Sequence, residues 1–179
     1  MRAKSRGAIL ELDLYCTDRN FNRAGCFVGY VMLDAWIANQ DRHHENWAAI
    51  ALPEEKALRL APTFDHGASL ARNISDAERK ERLESRDKGQ QIPHFASRAR
   101  SAFYASPADD RTLGTLEAFA RFAQTAPTAA SIWLEKIRSV TPEEIKAIIE
   151  EVPPNRMSEV ARQFTLELIM ANQQRLLKL

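Results

Sequence analysis

The front of the chain alternates between long apolar runs and short polar ones. Residues 26–38, "CFVGYVMLDAWIA", are apolar nearly all round and carry a single charge, Asp34, which predicts a buried helix that Asn39 could end. The polar stretch 39–47, "NQDRHHENW", follows at once. Two apolar segments, "WAAIAL" and "ALRLAP", then flank "PEEK", a pattern that predicts a short β-hairpin with polar loops on both shoulders.

The rest of the chain has helical spacing. Residues 112–124 and 126–140 each carry apolar positions at helical intervals, and Pro127 suits a first helical turn. Thr141 and Glu144 form a capping box, and Ser158 is placed to begin the last helix. Together with the hairpin, these segments predict a mainly helical fold.

Two other segments are less regular. Residues 76–90, "DAERKERLESRDKGQ", mix acids and bases densely, which predicts a solvated helix or an exposed flexible stretch. Residues 8–16, "AILELDLYC", alternate apolar and polar positions, so a strand is predicted there within an otherwise irregular stretch, 1–25.

Composition narrows the function classes. A chain of 179 residues without a linker or repeat fits one domain, 1–179, and its formal net charge of +1 gives no electrostatic argument for binding nucleic acid or a membrane. No apolar run approaches the roughly 18 residues of a membrane span. Glu11 and Asp13 interrupt the apolar region that a signal peptide would need, so we expect a cytoplasmic protein. Its two cysteines, Cys16 and Cys26, are expected to be reduced.

The polar loop 39–47 fits a metal site, a helix cap or a catalytic loop. The catalytic interpretation rests on Asp41 and Asn46, which have D-x-x-x-x-N spacing, and on Asp65 after the second hairpin strand. In protein kinases an Asp at the first position accepts the substrate hydroxyl proton, while the Asn and a later Asp hold Mg²⁺. Carboxylate and amide oxygens together with the ATP phosphates can complete the octahedral coordination that Mg²⁺ requires.

The histidines support a zinc site poorly. His43, His44 and His66 show neither H-E-x-x-H nor a Cys/His spacing. We expect His43 to brace the loop by hydrogen bonds to the backbone. Trp36 and Trp47 are expected to pack in the core around the loop, and the sequence does not decide whether Arg42 faces solvent or pairs with an acid.

Two segments carry a family resemblance. "IANQDRHHENWAAI" and "LRLAPTFDHGASL" resemble the catalytic and metal-binding segments of HipA-like serine/threonine kinases, whose pattern is Asn-x-Asp-x-His-x-x-Asn followed by Pro-x-[Tyr/Phe]-Asp. The matching residues are Asn39, Asp41, His43, Asn46, Pro62, Phe64 and Asp65. The Asp-Arg sequence at 41–42 with Asn-Trp at 46–47 also has a distant likeness to phosphatidylinositol 4-kinases. The phosphate acceptor could therefore be a protein or a lipid.

The resemblance implies a fold, a reaction and roles. The fold would be the helical C-terminal lobe of a protein kinase, with a small β-hairpin carrying the catalytic and metal loops. Asp41 would be the catalytic base, Asn46 and Asp65 would bind Mg²⁺ and thereby ATP, and Asn39 and His43 would support the loop. The substrate would be a Ser or Thr of a protein, and the chain could act as the toxin of a toxin–antitoxin pair.

The chain departs from the kinase pattern before the loop. None of its six glycines forms G-x-G-x-x-G, and Lys4 is the only lysine that precedes Asn39. The N-terminal ATP-binding lobe is therefore expected to be absent. The alternative to an active kinase lobe is a truncated, inactive lobe that binds a partner, either an antitoxin-like protein or a separate N-terminal lobe.

Overall fold

The computed structural model describes residues 23–52 and 57–179 of the chain. Within them it has seven helices and one two-stranded sheet. The helices are α1 (Arg23–Trp36), α2 (Asp76–Glu84), α3 (Ile92–Ser97), α4 (Thr115–Ala123), α5 (Pro127–Arg138), α6 (Pro142–Glu150) and α7 (Glu159–Leu176). The predicted mainly helical fold is confirmed, whereas the strand predicted over residues 8–16 and the "PEEK" turn lie outside the described residues.

Helix α1 lies at the centre of the larger core. Its apolar surface packs against α4, α5 and α7, as its nearly continuous apolar sequence predicts. The closest approach is at Gly29, where a Cβ atom would come within 2.4 Å of the Trp133 ring on α5. The Trp133 indole N–H also donates to the Gly25 carbonyl over 2.9 Å. The same side chain therefore packs against α1 and forms a hydrogen bond with it.

The hairpin follows α1 through the polar loop. Strands β1 (Ala49–Leu52) and β2 (Ala57–Leu60) pair antiparallel, with Ala49 opposite Leu60 and Ile50 opposite Arg59. The Tyr30 hydroxyl on α1 donates to the Ala61 carbonyl over 2.7 Å, which ties the end of β2 to the central helix. The hairpin therefore returns the chain from the loop after α1 to a second loop, residues 61–70, beside the same helix.

The C-terminal helices begin where the sequence predicts. Thr141 and Glu144 form both bonds of a capping box, and the Ser158 hydroxyl accepts from the Ala161 amide at the start of α7. Helix α7 buries Phe164 and Leu168 against α3, forming a smaller second core. These contacts, with those between α1 and α7, hold the long last helix in the helical core.

One expectation needs correction and another is not tested. The expectation that Cys16 and Cys26 are reduced stays a prediction, because Cys16 lies outside the described residues. Helix α1 ends at Trp36 rather than at Asn39, because Ala38 adopts a left-handed conformation with φ of 53° and turns the chain early. Among the described helices, none has the length and apolar character to cross a membrane.

Candidate functional site

The centre of the candidate site is the guanidinium group of Arg42. Its Nε and Nη2 atoms each donate to one oxygen of the Asp34 carboxylate over 2.8 Å, which is the bidentate geometry of a strong ion pair. The Arg42 side chain is 1% exposed and that of Asp34 is 5% exposed. Asn39 adds a third donor to Asp34, from Nδ2 to Oδ1 over 2.8 Å, so the buried carboxylate is well satisfied.

The same guanidinium joins the two loops that flank the hairpin. Arg42 Nη1 donates to the Asn46 carbonyl over 2.5 Å and to the Phe64 carbonyl over 3.1 Å. Arg42 Nη2 also donates to the Thr63 hydroxyl over 2.8 Å. The carbonyl oxygens of Asn46, before the hairpin, and of Phe64, after it, therefore accept hydrogen bonds from the same nitrogen atom. This brings the loop of Asn46 next to the loop of Asp65.

The backbone of Asp41 is held on both sides, whereas its side chain is open. Its amide donates to Asn39 Oδ1 over 3.3 Å, and its carbonyl accepts from Asn46 Nδ2 over 2.7 Å and from the His43 amide over 2.8 Å. The Asp41 side chain is 49% exposed. A fixed backbone with an accessible carboxylate is the arrangement that a general base requires.

His43 lies between two acids. Its Nδ1 atom accepts from the Glu45 amide over 3.2 Å, and its Nε2 atom lies 3.6 Å from Asp41 Oδ1. A backbone donor at Nδ1 leaves the proton of the neutral ring on Nε2, facing Asp41. The structure thus places His43 beside Asp41, with a hydrogen bond from the backbone of the loop; its role stays a prediction.

Asn46 and Asp65 present oxygen atoms of the kind that Mg²⁺ binds. Asn46 is 5% exposed, and because its Nδ2 donates to the Asp41 carbonyl, the side chain can offer only its Oδ1 to a ligand. Asp65 is exposed and has a left-handed backbone with φ of 53°. An amide oxygen and a carboxylate oxygen are ligand types that Mg²⁺ accepts beside phosphates and water.

The histidines do not form a metal centre. Among residues 23–52 and 57–179 there is no group of three His, Cys, Asp or Glu side chains that could hold a metal ion. His66 instead lies in the Arg42 network, with Nδ1 3.3 Å from Arg42 Nη2 and Nε2 3.3 Å from the Thr63 hydroxyl. Burial, and then the Arg42 charge, lower the pKa of His66 below its usual value.

Sequence reasoning missed the Arg42–Asp34 pair. It left Arg42 undecided and treated Asp34 as the single exception in an apolar helix. A lone carboxylate on a helix that is otherwise buried requires a cationic or hydrogen-bonding partner, so Asp34 was the signal that could have identified the pair. The position of Arg42, one residue after the predicted base, then makes it the nearest cation along the chain to the buried acid.

The aromatic residues on either side of the loop differ in environment. Trp36 is 3% exposed and belongs to the core, as expected. Trp47 is 40% exposed and contacts the Phe27 ring, with ring centroids 5.4 Å apart, so the expectation of a core residue is wrong here. Ile50, Leu58 and Phe64 are also exposed, with Ile50 and Leu58 on opposite faces of the hairpin.

Comparisons with known proteins identify the fold. No family model matches the chain and no curated protein matches it. Among solved structures, the proinflammatory kinase CtkA of Helicobacter pylori is similar, with a TM-score of 0.60 and 20% sequence identity over 87% of this chain. The match covers 54% of the CtkA chain, so this chain spans about half the length of that kinase. The fold is therefore kinase-like.

Proposed function

We propose that this chain is the catalytic lobe of a HipA-like phosphotransferase, which uses ATP and Mg²⁺ to phosphorylate a Ser or Thr of a protein. The observation that carries the proposal is the position of Arg42 Nη1, which contacts the carbonyl oxygens of Asn46 and Phe64. A D-x-x-x-x-N loop and a Phe-Asp loop meet through this contact in a chain that has a kinase-like fold.

Each residue of the proposed site has a role that fits its environment. Asp41, with a fixed backbone and an accessible carboxylate, would orient the acceptor hydroxyl and take its proton. Asn46 Oδ1 and the Asp65 carboxylate would hold Mg²⁺, which neutralises phosphate charge when bound. Asn39 would position Asp41 through its backbone amide, and His43 would limit the directions in which the Asp41 carboxylate can turn.

The experiment is phosphoryl transfer from radiolabelled ATP to protein in the presence of Mg²⁺. It compares wild type with Asp41→Ala and Asp65→Ala, and Asp87→Ala serves as the control because Asp87 is exposed and lies outside the site. We expect transfer by wild type and by the control, and none by the two site variants. Transfer retained by either site variant would refute the role assigned to that residue.

The second candidate is an inactive kinase-like lobe that binds a partner protein. It is favoured by exposed apolar side chains, which suit protein contact: Trp47 before the hairpin, and Ile50 and Leu58 on its two faces. The partner would be an antitoxin-like protein or a separate N-terminal lobe. Transfer that appears only after the product of the adjacent reading frame is added would identify a split kinase, whereas complex formation without transfer would favour the inactive lobe.

A cytoplasmic location is part of the proposal. Disulfide bonds are rare in the reducing cytosol and common in oxidising compartments, so the redox state of Cys26 tests it. Alkylation of thiols in intact cells, followed by mass spectrometry of the peptide that contains Cys26, tests the point. A reduced, alkylated Cys26 is expected for a cytoplasmic protein, and an unmodified disulfide would place the chain elsewhere.

A further inference from the structure

An apolar cavity lies between α1, α5, α6 and α7 and borders the Arg42 network at Thr63. Its volume is about 360 Å³, which lies within the usual range for small-molecule sites. Among the described residues, its lining includes no charged side chain. Its walls are formed mainly by aliphatic and aromatic residues, among them Leu33, Trp36, Trp133, Ile145, Ile149 and Ile169.

The walls of the cavity are fixed by hydrogen bonds. Asn172 on α7 donates to the Trp36 carbonyl on α1 over 3.1 Å, and Arg162 on α7 donates to the carbonyls of Ile149 and Val152 at the end of α6. With the bond from Trp133 to Gly25, these contacts hold all four helices at set positions. Protein interiors are normally close-packed. A cavity that is kept open by hydrogen bonds between the surrounding helices is therefore a preformed site.

The hydroxyl groups that line the cavity offer no charge to pair with a charged ligand. The Tyr30 hydroxyl already donates to the Ala61 carbonyl over 2.7 Å, and the Thr63 hydroxyl accepts from Arg42 over 2.8 Å. Neither these residues nor Thr165, the other hydroxyl side chain of the lining, adds a formal charge, so an ionic group that entered the cavity would lose its hydration without finding a counter-ion among the described residues. The chemistry of the lining therefore specifies an uncharged ligand.

Two residues connect the cavity to the proposed site. Thr63 lines the cavity and bonds to Arg42, and Leu70 lines it while its amide donates to the Ile37 carbonyl over 2.9 Å. We infer that this cavity binds a small, uncharged, apolar molecule, and that its occupancy stabilises the loop of residues 61–70 against α1. The inference goes beyond the proposed function and does not depend on it.

Calorimetric titration of the full chain with 1-octanol, and with octanoate as the matched anion, tests the inference. We expect saturable binding of one octanol per chain and binding of octanoate that is weaker by at least about tenfold. Two variants narrow the cavity: Ile148→Trp at its 42% exposed rim, and Val152→Phe. Leu179→Trp, at a 62% exposed position outside the cavity, is the control. Circular dichroism first establishes that each variant folds.

Loss of octanol binding in the narrowed variants, with binding retained in Leu179→Trp, would support the inference. Equal binding by all four proteins, no saturation in wild type, or equal affinity for octanoate would overturn it. If neither variant folds, the binding site is located by the NMR shifts of the wild-type tryptophan indole N–H signals on addition of octanol. Octanol should shift those of Trp36 and Trp133, which line the cavity, and leave that of Trp47 unchanged; a shift of Trp47 alone would contradict the inference.

Discussion

The Arg42 network and helix α2 each contain an ion pair, but the Arg42–Asp34 pair is buried and the Lys80–Glu84 pair is exposed. Arg42 and Asp34 are buried and meet with two bonds of 2.8 Å, and the guanidinium also binds two backbone carbonyls. Helix α2 has no buried residue, and its Lys80 and Glu84 lie 3.9 Å apart with more than 60% of each side chain exposed. Burial, and not the number of charges, therefore decides which ion pair fixes the structure.

Arg42→Met is expected to have the largest effect. It would leave the Asp34 carboxylate buried with only Asn39 as a partner, and it would remove the donor shared by Asn46 and Phe64. Breaking a buried pair in this way costs about 3–5 kcal/mol. Urea denaturation measures the loss, and an effect below about 1 kcal/mol would show that the network is not structurally important.

A double variant, Asp34→Leu with Arg42→Met, separates the two roles of the pair. Replacing both charges with apolar groups removes the uncompensated carboxylate, so stability should partly recover. The link between Asn46 and Phe64 would still be missing, so phosphoryl transfer should stay lost. Recovery of transfer together with stability would contradict the role of Arg42 in joining the loops.

Asn39→Ala is expected to have the next largest effect. Asn39 is 1% exposed, and its side chain bonds to both Asp34 and the Asp41 amide. Its removal should cost about 1–3 kcal/mol, because the buried Asp34 carboxylate and the half-buried Asp41 amide each lose a partner. Asn73→Ala, at an exposed position, should have almost no effect in the same denaturation experiment. Equal effects of the two substitutions would contradict the network.

His66 should make the Arg42 network sensitive to acid. Because its pKa is lowered in the folded state, the unfolded chain binds a proton first as the pH falls. The contribution to stability is complete above the unfolded pKa of about 6.5 and is lost as the pH falls from there towards the lower folded value. Melting temperatures between pH 7.5 and 5.5 should fall more for wild type than for His66→Gln; parallel curves would contradict this prediction.

Lys80→Ala on α2 should have the smallest effect. Its pair with Glu84 is exposed on both sides, so its removal should change the free energy of unfolding by no more than about 0.5 kcal/mol. Chemical denaturation at low and high salt measures this difference. A loss comparable to that of Arg42→Met would invalidate the contrast between buried and exposed pairs.

The sequence predicted the elements whose signals are local. The capping box at Thr141, the start of α7 at Ser158 and the pairing of the hairpin depend on residues a few positions apart, and the structure has all three. The end of α1 was placed too late because the left-handed turn at Ala38 depends on tertiary contacts, including the bond between the Leu70 amide and the Ile37 carbonyl. Alanine itself carries no signal for such a turn.

For the site, the sequence indicated the residue types and their spacing, but not the contacts of Arg42 that hold the two loops together. Asp41, Asn46 and Asp65 were selected by spacing, and their roles stay predictions. Arg42 contacts Asp34 from eight residues away and Phe64 from 22 residues away. The second contact exists only after the hairpin has folded, so no pattern in the loop itself could have indicated it.

The most direct measurement of the central claim is ATP binding with and without Mg²⁺. It is made by calorimetry on wild type, Asn46→Ala, Asp65→Ala and the exposed control Asp87→Ala. Wild type and the control should bind ATP more tightly with Mg²⁺ than without it, even if the affinity is weak, and the two site variants should lose this difference. A wild type that shows no effect of Mg²⁺, or an Asp65→Ala variant that retains the effect, would contradict the claim that Arg42 assembles a kinase-type metal site.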